Sequence, residues 1–188
     1  NLLIPSLIRE IKKNKKFLIN LILVNDKSVD DSLRVCKSFK IKFPKIIKIK
    51  NLKYRGFQSG AIKKGIDILR SEYVILMDAD LQDDPKKIKL FLDKIYQDYD
   101  IVIGFRIKRK AALILKVGLK IYDYIFKLVL KKKLPTYRAQ YTAYRTSFIK
   151  NFKMKKNDHR YLIPIAISRG AKKIGIIKLK LKNRKFGT

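Results

Sequence analysis

A chain of 188 residues that is 47% hydrophobic can bury one real core, which excludes a disordered basic tail. Its formal net charge of +32, from 47 Lys and Arg against 15 Asp and Glu, calls for anionic partners: a phosphate-bearing ligand, nucleic acid or an acidic membrane surface. A single cysteine, Cys36, rules out an intrachain disulfide, and with a single histidine, His159, it leaves thiol-zinc sites, His-rich metal sites and Ser-His-Asp chemistry poorly supported. The lysines are scattered, so an ordinary lysine-coated surface accounts for part of the charge. No uncharged run reaches the roughly 18 residues of a spanning helix. The chain starts at Asn1 and reads as cut at both ends.

Apolar residues at 3, 4, 7, 8 and 11 predict a first helix. Residues 17–24 form an apolar run of strand length, and the polar turn 25–32 caps a helix over 33–39. A short strand at 46–49 leads to a loop flanked by Gly56 and Gly60, which opens a helix over 61–70. Strand 73–77, an acidic turn, helix 86–97 and strand 100–104 follow. This alternation predicts a parallel sheet with helices on both faces. Beyond it, residues 111–130 form a long helix whose polar residues Lys116, Lys120, Asp123 and Lys127 make one narrow stripe. Such a helix is either buried or lies in a membrane interface. A strand over 141–145, a helix over 158–169 that Pro164 would kink or shorten, a half-exposed strand over 174–181 and a basic tail complete the chain.

The acidic turn holds Asp78, Asp80, Asp83 and Asp84 within seven residues of a chain poor in acids. In an open α/β sheet, ligands bind beyond the carboxyl ends of strands, where this turn sits. Asp78 and Asp80 are two apart, so in extended chain both carboxylates reach one ligand. Such hard oxygen donors suit Mg²⁺ or Mn²⁺ shared with a substrate diphosphate. The plainer alternative is that Asp83 and Asp84 cap the helix at Pro85 while Asp78 and Asp80 are solvated.

Met77-Asp78-Ala79-Asp80-Leu81-Gln82-Asp83-Asp84-Pro85 resembles the Met-Asp-Ala-Asp-Leu-Gln-x-x-Pro segment of family 2 glycosyltransferases, most nearly the dolichyl- and polyprenyl-phosphate sugar transferases of the dolichol-phosphate mannose synthase type. Val24-Asn25-Asp26-Lys27-Ser28-Val29-Asp30 is similar to their Val-Asp-Asp-Gly-Ser-x-Asp turn, with Asn25 and Lys27 in place of Asp and Gly. Residues 51–65 resemble their Asn-x-Gly-x-x-x-Ala-x-x-x-Gly segment, Gly104-Phe105-Arg106 their Gly-x-Arg, and residues 183–188 the start of their Arg-x-x-Gly-x-Ser-Lys-Tyr loop. Around residues 136–141 the chain departs from the Asp-x-x-Gly of many relatives, which bears on the acceptor side.

The resemblance implies an α/β GT-A (nucleotide-diphospho-sugar transferase) fold. Its sheet would be mostly parallel with helices on both faces, the family's first strand would be absent, and residues 1–188 would form a single domain with a membrane-interface helix at 111–133. It implies a metal-dependent, inverting hexosyltransferase that moves a sugar from a nucleotide-diphosphate sugar to a polyprenyl phosphate at the cytoplasmic face of a membrane, held peripherally or by segments outside this chain. Asp80 and Gln82 would ligate Mg²⁺ or Mn²⁺. Asp80 and Arg106 would be catalytic. Asp26, Ser28, Asp30, Asp78, Ala79 and Arg184 would bind the donor, and Arg106 and Arg109 the acceptor phosphate. His159 would either touch the acceptor or simply pack. Binding to nucleic acid is not expected, since no zinc-finger spacing or RNA-recognition signature is present. The alternatives are transfer to a glycan or lipopolysaccharide hydroxyl, which would need a carboxylate base, and an inactive truncated product.

Overall fold

The computed structural model describes residues 2–107, 113–134, 136 and 139–180. Its elements in chain order are α1 (Leu3–Lys13), β1 (Leu21–Asn25), α2 (Ser32–Lys42), β2 (Ile47–Asn51), α3 (Phe57–Asp67), β3 (Tyr73–Leu76), α4 (Ile88–Tyr96), β4 (Ile101–Ile107), α5 (Leu113–Leu130), β5 (Thr142–Arg145), α6 (Leu162–Ser168) and β6 (Ile174–Lys180). They fall into two compact units. The first comprises Asn1–Arg70, Pro85–Lys89 and Lys150–His159, and the second Ser71–Asp84, Leu90–Ile149 and Arg160–Thr188.

In the first unit β1 and β2 pair in parallel, from Leu21 opposite Ile47 to Asn25 opposite Asn51. The ladder has five rungs because β2 is five residues long, and this sets the start of β1 at Leu21, later than the apolar run suggests. α1 buries Ile4, Leu7, Ile8 and Ile11, the helical spacing read from sequence. Ile4, Ile8 and Ile47 make a core that Leu21, Leu23, Cys36, Phe39 and Phe43 surround. α3 begins at Phe57, four residues before the predicted start, because Gly60 N–H already donates to Gly56 C=O at 2.9 Å. A side chain on Gly56 would meet Gly60 Cα at 3.0 Å, so the helix opens through two glycines in close approach.

The second unit holds a four-stranded sheet in the order β3-β5-β4-β6. β4 and β6 run parallel, whereas β5 lies antiparallel to both β3 and β4. Ile101, Val102 and Ile103 of β4 are fully buried, as expected of a central strand covered on both faces. β6 alternates buried and exposed residues, as its Ile/Leu-Lys pattern predicts. Pro164 leaves α6 intact because it falls in the first turn, where no helical N–H bond is lost.

α5 is packed along one side and exposed along another. Tyr122 and Phe126 pack together at 4.7 Å between ring centroids, and each lies 6.2 Å from Tyr161. Ile121, Tyr124, Ile125, Leu128 and Val129 face solvent, each at least half exposed. Among the described residues no helix is long and apolar enough to cross a membrane.

Candidate active site

The acidic turn follows β3 and is built around a buried charge. Asp83 is 3% exposed. Arg106, near the end of β4, grips its carboxylate in a fork, with Nε donating to Oδ1 at 3.1 Å and Nη2 to Oδ2 at 2.6 Å. The same Nη2 lies 3.6 Å from Asp78 Oδ2, and Nη1 donates to Gln140 Oε1 at 3.3 Å. Asp83 is therefore not a solvated capping residue. Burial pushes the Asp78 and Asp83 carboxyls above the ordinary 3.8, and Arg106 opposes this without cancelling it. Neighbouring acids add to the rise in both, Asp83 and Asp80 for Asp78 and Asp80 for Asp83.

The turn itself is shaped by Asp80, whose Oδ1 accepts from Gln82 N–H at 3.1 Å, and by Leu81, whose φ of 63° lies in the left-handed region. Ala79 is exposed. Arg106 reaches the cluster because Gly104 lets β4 approach the chain entering β5. Gly104 N–H donates to Tyr141 C=O at 2.9 Å, and a Cβ on Gly104 would sit 2.4 Å from that oxygen. Tyr141 is fully buried, its ring lies 4.4 Å from Phe91, and its hydroxyl donates to Asp84 C=O at 3.4 Å. Burial pushes its phenol far up.

In the first unit, the turn after β1 is organised by two side chains. Asn25 is buried and its Nδ2 donates to Asn51 Oδ1 at 2.6 Å, tying the ends of β1 and β2 together. Its Oδ1 accepts from Ser28 N–H at 3.3 Å. Asp26 Oδ1 accepts from Gly56 N–H at 2.6 Å, joining this turn to the start of α3. Asp30 is exposed and its carboxyl is lowered, first by the Ser32 hydroxyl and then by Ser32 N–H. Lys27, standing where the resemblance has Gly, holds φ at 56°, a conformation that costs a side chain about 1 kcal/mol. His159 Nδ1 is 2.7 Å from the hydroxyl of buried Ser59.

The structure thus brings Asp78 and Arg106 together around Asp83, joins Asp26 to Gly56, and leaves Ser28 and Asp30 exposed at their turn. Arg109 and Arg184 lie outside the described residues. The sequence reading missed Asp83, Ser59, Asn51 and Tyr141 as site-shaping residues. Asp83 carried a signal as one of four clustered acids in an acid-poor chain, and Asn51 as the first residue of the segment 51–65.

Hard oxygens at Asp78 and Asp80 fit a divalent cation of the Mg²⁺ type, which takes one or two carboxylates and fills its shell with substrate phosphate and water. Among the described residues no three His, Cys, Asp or Glu gather as a complete cage.

Comparison with known proteins follows the same lines. The chain is 31% identical over 144 residues to the dodecaprenyl-phosphate galacturonate synthase of Rhizobium johnstonii, covering 76% of this chain and 43% of that protein. It is 28% identical over 168 residues to the undecaprenyl-phosphate 4-deoxy-4-formamido-L-arabinose transferase of Pectobacterium atrosepticum, covering 89% and 51%. The chain thus spans about half the length of these relatives. Glucosyl-3-phosphoglycerate synthase from Mycobacterium tuberculosis, solved with Mn²⁺ and UDP-glucose, superposes with a TM-score of 0.68 at 14% identity, over 97% of this chain and 66% of that one. The fold is therefore GT-A-like, with parallel strand pairs in a mixed α/β architecture. The sequence model of Glycosyl transferase family 2 matches residues 2–157, and this chain belongs to that family.

Proposed function

We propose that the chain is the catalytic domain of an inverting glycosyltransferase. It would move a sugar from a nucleotide-diphosphate sugar to a polyprenyl phosphate, with residues 1–188 acting as one domain. The observation that carries this is the acidic turn after β3, where Arg106 forks onto buried Asp83 and also reaches Asp78, and where burial holds both carboxyls above their ordinary value. A divalent ion arriving with a diphosphate leaving group would favour the charged form of these carboxylates. The relatives' names support the acceptor class, being dodecaprenyl- and undecaprenyl-phosphate transferases.

In this reading Asp80 and Gln82 hold Mg²⁺ or Mn²⁺, which when bound offsets charge developing on the leaving diphosphate. Asp78 and Ala79 face the donor, and Asp26, Ser28 and Asp30 hold its base and ribose. Arg184 and Arg109 supply phosphate contacts. Arg106 keeps Asp83 and Asp78 in place and would also contact the acceptor phosphate. A phosphate monoester is already ionised at neutral pH, so its oxygen attacks without a general base. A sugar hydroxyl would require one.

The exposed apolar face of α5 supports attachment to a membrane, where such an acceptor resides. Ile121, Ile125 and Leu128 would enter the lipid boundary, and Lys120 and Lys127 would meet anionic headgroups at the cytoplasmic side.

The test is transfer from a nucleotide-diphosphate sugar to polyprenyl phosphate in the presence of Mg²⁺ or Mn²⁺. Asp80→Ala is expected to lower the rate by about a thousandfold. A polyprenol without phosphate should not serve as acceptor. Undiminished transfer by Asp80→Ala would sink the metal-assisted reading, and efficient use of a hydroxyl acceptor would move the protein to the second class.

A further inference from the structure

The first unit carries a concave basic surface that belongs to neither turn. A cleft of about 690 Å³ lies among α2, β2, the end of α3 and Lys150. Five cations line it, Lys40, Lys48, Lys50, Arg70 and Lys150, against one acid, Asp67, whose carboxylate is already paired with Lys63. Lys48 and Lys50 are two apart on β2, so both ammonium groups leave the same side of the strand. Lys40 Nζ donates to Pro44 C=O at 2.7 Å and Lys150 Nζ to Leu69 C=O at 2.8 Å, so main-chain oxygens fix two of the five in position.

A lysine coat on a convex surface spreads its charge into water. A concave wall concentrates the field and raises the local concentration of anions. The cleft is also separate from the Asp26 turn. Gly56, which binds Asp26, precedes α3, and Arg70 lies beyond its other end. Eleven residues of helix span about 16 Å.

We propose that this cleft is a second anion site, one that takes a group bearing two or more negative charges on phosphate oxygens. The group is either free in solution or the headgroup of a lipid. The proposal does not depend on the transferase reading, and its failure leaves that reading intact.

The chain is titrated with inorganic diphosphate by calorimetry in buffer containing EDTA, which removes metal-assisted binding at the acidic turn. Separately it is floated with phosphatidylcholine vesicles with and without cardiolipin, whose headgroup carries two phosphates. Lys48→Glu with Lys50→Glu is compared with Lys37→Glu with Lys64→Glu, an exposed pair outside the cleft that changes the net charge equally. The wild type should bind one diphosphate per chain, and the cleft pair should weaken this at least about tenfold while the control pair changes it by less than about twofold. The same selective loss on cardiolipin vesicles alone assigns the site to a lipid headgroup. Equal weakening by the two pairs, or no weakening of either ligand by the cleft pair, overturns the proposal. If thermal unfolding shows the Glu pair to be misfolded, Lys48→Gln with Lys50→Gln replaces it under the same criteria.

Discussion

The two ends of the four-stranded sheet each gather acids around one arginine, and they differ in which wins, burial or hydrogen bonding. Before β3 and β4, Arg145 pairs with Glu72 and Asp98, lies 3.3 Å from Asp100, and covers the Tyr73 ring at 4.8 Å. The Glu72 and Asp98 side chains are 67% and 78% exposed. Asp100 accepts from Lys172 and Lys173 N–H at 2.8 and 2.9 Å. Burial alone would raise the Asp100 carboxyl, but these bonds and Arg145 bring it below 3.8. Beyond the other end, Arg106 faces Asp83, whose side chain is 2% exposed, and Asp78. There burial wins and both carboxyls rise. Two arginine–acid clusters on one sheet therefore differ in kind. In one, hydrogen bonds outweigh burial and hold Asp100 charged, whereas in the other burial outweighs the arginine. Burial, not the number of ion pairs, separates them.

The largest expected effect comes from Arg106. Arg106→Ala leaves the Asp83 carboxylate buried without its cation and should cost about 3–5 kcal/mol, read as a lower urea midpoint at unchanged slope. Gly104→Ala comes next. Its methyl would press on Tyr141 C=O, a backbone atom that cannot turn away, so about 2–3 kcal/mol is expected, with loss of transfer as Arg106 is displaced. Arg145→Ala should cost only about 1 kcal/mol, because Glu72 and Asp98 turn to water. Equal losses for Arg145→Ala and Arg106→Ala would erase the distinction between the two ends.

The smallest effect concerns pH. The folded Asp100 carboxyl titrates below its unfolded value, so it stabilises the fold at neutral pH and the contribution is lost as pH falls below 3.8. Asp100→Asn keeps the shape without the titration. Thermal unfolding followed from about pH 5 to about pH 3 should fall less steeply in the variant than in the wild type.

Much of this was legible in the chain. The spacing of Ile4, Leu7, Ile8 and Ile11, the alternation in β6 and the four aspartates after β3 each follow a local rule that the fold obeys. The direction of β5 was not legible. Four residues, Thr142–Arg145, read as a strand, but nothing in them says that they run antiparallel between β3 and β4. That choice is made by Tyr73 opposite Arg145 and Ile101 opposite Tyr144, contacts between distant segments. Arg106 looked like a phosphate clamp because guanidinium matches phosphate, yet the same fork matches Asp83, and only the fold brings Asp83 to it. The left-handed Lys27 shows why a glycine suits that position, although the lysine itself gives no such hint.

The placement of β5 also governs the order of assembly during synthesis. Among the described strands β3 has β5 as its sole neighbour, and β4 is flanked by β5 and β6. A nascent chain that has not yet exposed residue 142 outside the ribosome therefore holds β3 and β4 with bare edges. The acidic turn gains its frame only once the chain has emerged past β5. Such late closure, with long loops to bring together, favours slow folding and makes the growing polypeptide prone to self-association until that point.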